Sequence, residues 1–281
     1  MKVIVAEHAG FCWGVKRVVQ MTEELAAASR RPLYTYGPLI HNQAVIERLE
    51  AMGVRTLRSM EGLREVECDA VVIIRAHGVP PEEYERLRGA GVEVVDGTCP
   101  HVHTIQQKVA AAHRRERQVV ILGDEGHAEV AGLLGFCPGR GVVIGTLEQA
   151  ARIDVQLPLT VVAQSTLDGQ AFEALTEAIK ARARDVEIED TRCGATARTQ
   201  AAAERLCGLV DVMVVVGGRN SANTNRLVQL CRAEGVPTVH VERAAELRQE
   251  EMTGKAIAGV TAGSSTPDWI ITQVVQRLRE W

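Results

Sequence analysis

The sequence predicts an α/β protein built from three similar units with mostly parallel sheets, and three observations carry that reading. Short apolar runs of strand length recur along the chain. Each ends in a polar, glycine-bearing turn that leads into a helix-period pattern, about ten times over. Three cysteines, Cys12, Cys99 and Cys193, are spread almost evenly along the 281 residues, and each falls in such a turn.

The elements follow in order. Met1 to Ala6 is an apolar run that breaks into EHAGFCWG, delivering Cys12 ahead of a helix with apolar positions at Val15, Val18, Val19 and Leu25. Leu33 to Tyr36 is a strand ending in GPLIHN, which places His41 before a helix through Val45, Ile46 and Leu49. Val71 to Ile74 is a continuous apolar run of the kind buried in a parallel sheet, ending in RAHGVP with His77; Pro80, Pro81, Glu82 and Glu83 open the next helix. Val94 and Val95 lead into DGTCP. There Asp96, Gly97 and Thr98 supply turn chemistry, and Pro100 suits a first helical position, so Cys99 lies near helix N–H groups that favour a thiolate.

Val119 to Leu122 ends in GDEGHAE, carrying His127 and Glu129. Thr160 to Ala163 ends in Gln164, Ser165 and Thr166 before a helix through Phe172, Leu175 and Ile179. Val186 to Cys193 is read as an extended run that repeats the acid, threonine and cysteine order. Val212 to Val216 runs into GGRNSANTN and a helix through Leu227, Val228 and Leu230, and Ala256 to Val260 runs into TAGSSTPD and a closing helix. Breaks near the Cys99 and Cys193 turns divide the chain into residues 14–96, 97–193, and 194–281 together with 1–13.

Composition limits the function. Aromatics make up only 3%, so the cores are aliphatic, and a formal charge of −4 with interspersed signs offers no basic field for nucleic acid. No apolar stretch reaches the roughly 18 residues of a membrane span, and Met1 leads straight into a strand, so a cytoplasmic protein is expected. The seven cysteines have no tight spacing and make no disulfide framework. Cys68, Cys137, Cys207 and Cys231 read as small buried hydrophobes.

Cys12, Cys99 and Cys193 sit in polar turns and read as metal ligands. Three thiolates leave an open coordination position; their long separation favours an assembled cluster over a zinc site, which usually takes two ligands from neighbouring residues. His41, His77 and His127 occupy equivalent strand-to-helix turns, where ring donors can meet an anion. Glu129 is the candidate proton donor. The stretches Gly217 to Asn225 and Thr261 to Asp268 resemble anion nests and match neither the P-loop nor the dinucleotide fingerprint. The residues alone describe an open, redox-capable metal site beside a small phosphorylated ligand.

The motifs GFCWGV, GPLIHN, AHGV, DGTCP, GHAEV, QST, NSANTNRL and GVTAGSSTPD occur in the same order as in the 4-hydroxy-3-methylbut-2-enyl diphosphate reductase (IspH/LytB) family, and the chain resembles that family over essentially its whole length. The resemblance implies three α/β units around a pseudo-threefold axis and a central [4Fe-4S] cluster. Cys12, Cys99 and Cys193 would hold that cluster, leaving one iron without a protein thiolate. It implies an allylic diphosphate substrate held by His41, His77, His127, Ser221, Ala222, Asn223 and Ser265, with Ser165 or Thr166 near its hydroxyl and Glu129 passing protons. The implied reaction removes that hydroxyl as water with two electrons and two protons, giving isopentenyl and dimethylallyl diphosphate, the last step of the methylerythritol phosphate pathway. A ferredoxin or flavodoxin would supply the electrons.

The chain departs from the family pattern at Ala128 (commonly proline) and Ala222 (serine), which remove no essential group because Ser221, Asn223 and Glu129 remain, and at Ser165 (threonine) and Thr199 (arginine, with Arg198 adjacent); these changes bear on substrate fit and rate more than on the cluster. Two alternatives carry the same cluster: a reductase or dehydratase of another small phosphorylated alcohol, and an iron-sulfur sensor without turnover.

Overall fold

The computed structural model describes all 281 residues. The chain opens with β1 (Lys2–Val5), α1 (Trp13–Ala28), β2 (Leu33–Tyr36), α2 (Gln43–Ala51), β3 (Val54–Leu57), β4 (Val71–Ile74), α3 (Pro81–Gly89) and β5 (Glu93–Val95). Then come α4 (Pro100–Arg114), β6 (Gln118–Leu122), α5 (Ala128–Leu134), β7 (Gly141–Ile144), α6 (Leu147–Ala150), β8 (Leu159–Ala163), α7 (Gly169–Lys180) and β9 (Val186–Ile188). The last are α8 (Gly194–Cys207), β10 (Val212–Val216), α9 (Ala222–Ala233), β11 (Thr238–Val241), β12 (Ile257–Ala262) and α10 (Asp268–Arg279).

These strands form three four-stranded sheets, ordered β3-β2-β4-β5, β7-β6-β8-β9 and β11-β10-β12-β1. Every pairing is parallel. Numbered within each sheet, the order is the same each time: second, first, third, fourth. The N-terminal β1 is the fourth strand of the third sheet, in register with β12 from Lys2↔Ile257 to Val5↔Val260. In this order the chain leaves the first strand on one side and returns on the other. The carboxyl ends of the first and third strands therefore flank a topological switch point, the usual ligand crevice of an open parallel sheet.

The chain forms two compact units. The larger spans Val18–Leu39 and Leu49–Cys193 and holds the first two sheets; the smaller spans Met1–Arg17, Ile40–Arg48 and Gly194–Trp281 and holds the third. Within each, helices cover both faces of a sheet, which is why the central strands read as unbroken apolar runs. On β10, Val212, Val214 and Val216 pack toward Ile270, Ile271 and Val274 of α10. The alternate residues Met213 and Val215 pack toward Ala203 of α8 and Leu227 of α9. In the larger unit Val120 and Leu122 of β6 join Phe172 and Ile179 of α7, while Val119 and Ile121 join Ile105 of α4 and Leu133 of α5. The core is aliphatic, as the composition requires.

Three strands were not legible in the sequence: β3, β7 and β11, each the second strand of its sheet and so an edge. The run from Val186 is paired only to Ile188. Cys137, Cys207 and Cys231 are buried as expected, but Cys68 is exposed, in the loop before β4 that precedes the buried run.

Each fourth strand ends in a loop carrying one of the three turn cysteines, and the residue after each cysteine begins a helix: Trp13, Pro100 and Gly194. The loop is held the same way in each sheet. The backbone N–H of the cysteine donates to the carbonyl two residues beyond the third strand: Cys99 to Ala76 (2.9 Å), Cys193 to Ser165 (2.8 Å) and Cys12 to Ser264 (3.1 Å). Gly97 shows how tightly the Cys99 loop is packed, since a Cβ there would lie 2.1 Å from the Ile74 carbonyl oxygen and 2.7 Å from Val18 Cγ2. Neither the sheet backbone nor the helix can yield that space. Gly97→Ala is expected to destabilise the protein by about 1–3 kcal/mol, read as a lower urea midpoint with an unchanged slope.

Candidate active site

In the larger unit the loops after β4, β6 and β8 bring together His77, His127, Glu129, Ser165 and Thr166. The His77 and His127 rings meet edge to face with centroids 5.5 Å apart. His127 is the N-cap of α5, and its Nδ1 accepts the Glu129 N–H at 3.2 Å. The ring proton of the neutral imidazole therefore sits on Nε2, which can donate to a ligand. Gly132 places α5 against the His77 turn, where an added Cβ would lie 3.6 Å from the His77 carbonyl oxygen, in ordinary contact.

Glu129 is 2% exposed. Its carboxylate accepts two hydrogen bonds from one residue, the Ser165 N–H (2.7 Å) and the Ser165 hydroxyl (2.7 Å). Burial pushes its pKa up, and the Ser165 donors and the charge of His101 pull against that rise. A buried carboxyl that stays protonated to higher pH than usual, yet is held in one orientation, has the properties of a proton donor. The Ser165 proton is committed to Glu129. The Thr166 hydroxyl instead accepts from Gln164 Nε2 (2.9 Å), so its own proton remains to be donated. Gln164, fully buried, also takes the Asp124 N–H on Oε1 at 2.8 Å and so ties the His127 loop to the end of β8.

Cys99 and Cys193 belong to the same unit. Burial raises the Cys99 thiol above the usual cysteine value; the N–H groups of His101 and Val102 in the first turn of α4 lower it, and the charges of Cys193 and Glu129 raise it further. The two cysteine loops are joined by residues that sequence reasoning passed over. His101 Nε2 donates to the Thr191 carbonyl at 2.8 Å. Thr191, 3% exposed, uses one hydroxyl to accept from the Ala163 N–H (2.7 Å) and donate to the Ala163 carbonyl (2.6 Å), extending the pairing of β8 and β9 past its last ladder residue. The available signal was position: His101 lies two residues after Cys99, and Thr191 two before Cys193.

The smaller unit gathers His41, Ser221, Ala222, Asn223 and Ser265 at the ends of β10 and β12. Ser265 donates to the His41 carbonyl (3.3 Å), and a Cβ on Gly218 would lie 2.4 Å from that same oxygen. Ser221 caps α9 by accepting the Thr224 N–H at 3.3 Å, which leaves its hydroxyl proton for a ligand. Asn223, 2% exposed, has no hydrogen bond on either amide atom. A buried amide in that condition costs on the order of 1–3 kcal/mol until a ligand satisfies it. Ala222, in the first turn of α9, contributes backbone only. Thr199, where an arginine is common, places its hydroxyl 3.1 Å from the His8 carbonyl and 3.1 Å from the Ala195 carbonyl, bracing the loop that carries Cys12.

Comparison with known proteins agrees with this geometry. The LytB protein family model matches residues 3–279. The chain is 40% identical over 281 residues to 4-hydroxy-3-methylbut-2-enyl diphosphate reductase of Aquifex aeolicus, covering 99% of this chain and 96% of that one. It is 42% identical over 278 residues to the enzyme of the same name from Geobacter sp. (strain M21), covering 99% and 97%. A solved (E)-4-hydroxy-3-methyl-but-2-enyl diphosphate reductase, described as the terminal enzyme of the non-mevalonate pathway, superposes with a TM-score of 0.72 at 39% identity over the whole of both chains. A Plasmodium falciparum reductase shares the fold with a TM-score of 0.93 at 24% identity, covering 98% of this chain and 87% of that one. With the family model spanning nearly every residue and relatives this similar over their full length, the chain belongs to the LytB protein family.

Proposed function

We propose that the chain is a 4-hydroxy-3-methylbut-2-enyl diphosphate reductase, an oxidoreductase that removes the substrate hydroxyl as water and yields isopentenyl and dimethylallyl diphosphate. The observation that carries this reading is the repeat of one arrangement in three sheets: a cysteine directly before a helix, its N–H on the carbonyl two residues past the third strand. That repetition supports the division into residues 14–96, 97–193, and 194–281 with 1–13.

Cys12, Cys99 and Cys193 are assigned as the ligands of a [4Fe-4S] cluster. The residues fit such a group: three cysteine thiols in equivalent half-buried turns, all soft donors suited to iron and sulfide. When bound, the cluster supplies single electrons and an iron without protein thiolate that acts as a Lewis acid. The electrons come from a small redox protein such as ferredoxin or flavodoxin. No helix is long and apolar enough to cross a membrane, in keeping with a reaction between soluble partners.

The remaining steps fall to the chain's own side chains. His41, His77 and His127 with Ser221, Asn223 and Ser265 bind the diphosphate. Asn223 gains partners for both amide atoms, and His127 donates from Nε2. Ala222 serves only by its backbone. Thr166 has the free hydroxyl proton to orient the substrate oxygen, and Ser165 holds Glu129 in place. Glu129 passes its proton toward the departing oxygen, and burial holds that proton to higher pH than an ordinary carboxyl would.

Anaerobically purified protein is expected to contain about four irons per chain and, with substrate, dithionite and a viologen, to release both five-carbon diphosphates. Iron without product would replace the assignment with a cluster protein acting on another alcohol or as a sensor. Glu129→Gln is expected to keep its iron while turnover falls by roughly 10²–10⁴-fold; iron loss, or turnover near wild type, would count against the proton-donor role. In the metal-free protein the raised Glu129 pKa contributes stability that is fully present below the unfolded value of about 4.3 and is lost as pH rises through the folded value. As pH rises from the unfolded value through the folded one, the urea midpoint of Glu129→Gln is therefore expected to fall less than that of wild type. His101→Leu, which removes the bond to Thr191, is expected to lose iron faster in air than wild type, while His101→Gln, which can restore an N–H at that point, recovers much of the retention.

A further inference from the structure

A cavity of about 400 Å³ opens at the carboxyl ends of β2, β3 and β4, lined by none of the residues assigned above. Its walls carry three guanidinium groups: Arg58 after β3, Arg75 after β4 and Arg86 on α3. None of them forms an ion pair; the nearby pairs are Arg55–Glu67 and Arg88–Glu85. Arg75 is half-buried, and its one side-chain hydrogen bond is a long one, Nε to the Gly78 carbonyl at 3.4 Å. Burial lowers its pKa. A guanidinium withdrawn from water is costly. The charge of Glu83 offsets part of that cost, but no carboxylate closes to ion-pair distance on Arg75 and three guanidinium groups face two carboxylates, so the wall is complementary to an anion.

The two carboxylates on the same wall do not meet that need. Glu83 interacts with the buried hydroxyl of Tyr36, and Glu61 with the hydroxyl of Ser59. Each carboxylate is engaged by a neutral donor, and although Glu83 acts on Arg75 and Arg86 on Glu61 through their charges, neither pair closes to a salt bridge. Gly37 keeps the space clear: its φ is +71°, and a Cβ there would lie 2.6 Å from Arg75 Nη1. Tyr36 and Ile74 are register partners, so Gly37 and Arg75 leave the sheet side by side at its switch point, where such folds place ligands.

The chemistry selects the kind of anion. A carboxylate has two oxygens and is saturated by one or two guanidinium forks, whereas a terminal phosphate offers three oxygens and can engage all three arginines. The volume exceeds that of a phosphate, and Tyr36 and Met60 supply an apolar wall for the carbon-bearing remainder. We propose that this cavity is a second ligand site of the larger unit, one that binds a phosphorylated small molecule through Arg58, Arg75 and Arg86. Arg75 also begins the turn that carries His77, since the Gly78 N–H donates to its carbonyl at 3.0 Å. The site stands on its own residues and does not rest on the reductase assignment.

Calorimetric titration of the full-length holoprotein with inorganic pyrophosphate tests it. Wild type is expected to bind at two classes of site. Asn223→Ala weakens one class. The pair Arg58→Ala and Arg86→Ala, both exposed and outside the proposed machinery, weakens the other by about tenfold or more with an unchanged melting temperature. A wild-type isotherm that the double variant leaves unaltered would overturn the proposal, and an Asn223→Ala variant that alters neither class would overturn the diphosphate assignment alone.

Discussion

A single backbone hydrogen bond, made once in each sheet, is what the candidate site depends on. The fourth strand of each sheet runs out before its neighbour's loop does, and the chain must turn back to start a helix. The cysteine N–H closes that turn on the carbonyl of Ala76, Ser165 or Ser264. The residue after each acceptor is His77, Thr166 or Ser265, one of the side chains proposed to meet the substrate. One bond therefore fixes a proposed metal ligand and the adjacent proposed substrate ligand relative to each other. Three copies of it do this three times with different side chains. The fold repeats the scaffold and varies only the chemistry at the strand ends, as expected where loops carry function on rigid strands.

Ser165 is where the scaffold and the chemistry are joined most closely. Its carbonyl receives the Cys193 N–H, while its own N–H and hydroxyl both go to the Glu129 carboxylate. A shift of this residue would move a cysteine and a proton donor together. Serine for the family's usual threonine keeps all three of these bonds, because each uses the backbone or the hydroxyl. Glu129 itself is a compromise between burial, which favours the neutral acid, and two donors, which favour the carboxylate. Neither side removes the other, so the group can hold a proton and release it.

The sequence was most informative where burial is complete. β4, β8 and β10 are buried at every residue and read as unbroken apolar runs. The strands it concealed, β3, β7 and β11, each cover one flank of a sheet and are part-exposed; polar residues interrupt the signal in β3 (Arg55, Thr56) and β11 (Thr238, His240), while β7 is only the short run GVVI. Site residues were legible when they lay in glycine-marked turns after buried strands. His101 and Thr191 were not, because their role exists only once α4 and β9 lie side by side. Lys108 pairs with Glu189 and Arg115 with Glu187 along the same seam, and no local pattern in a helix identifies the strand it will meet. Cys68 was misread for the opposite reason: its loop lies just ahead of a buried strand, but nothing covers it.

The electrostatics of the larger unit explain why its thiols call for a bound cation. Cys99, Cys193 and Glu129 are close enough for the charge of each of the latter two to raise the Cys99 pKa. Ionising Cys99 beside them would place like charges together in a half-buried pocket, which disfavours the Cys99 thiolate. A metal centre bound at the proposed ligands would reverse that balance, because its positive charge would favour the thiolates and its binding would release their protons. That charge would bear on Glu129 as well, so the acid that Ser165 holds in one orientation would lie within the field of the proposed centre.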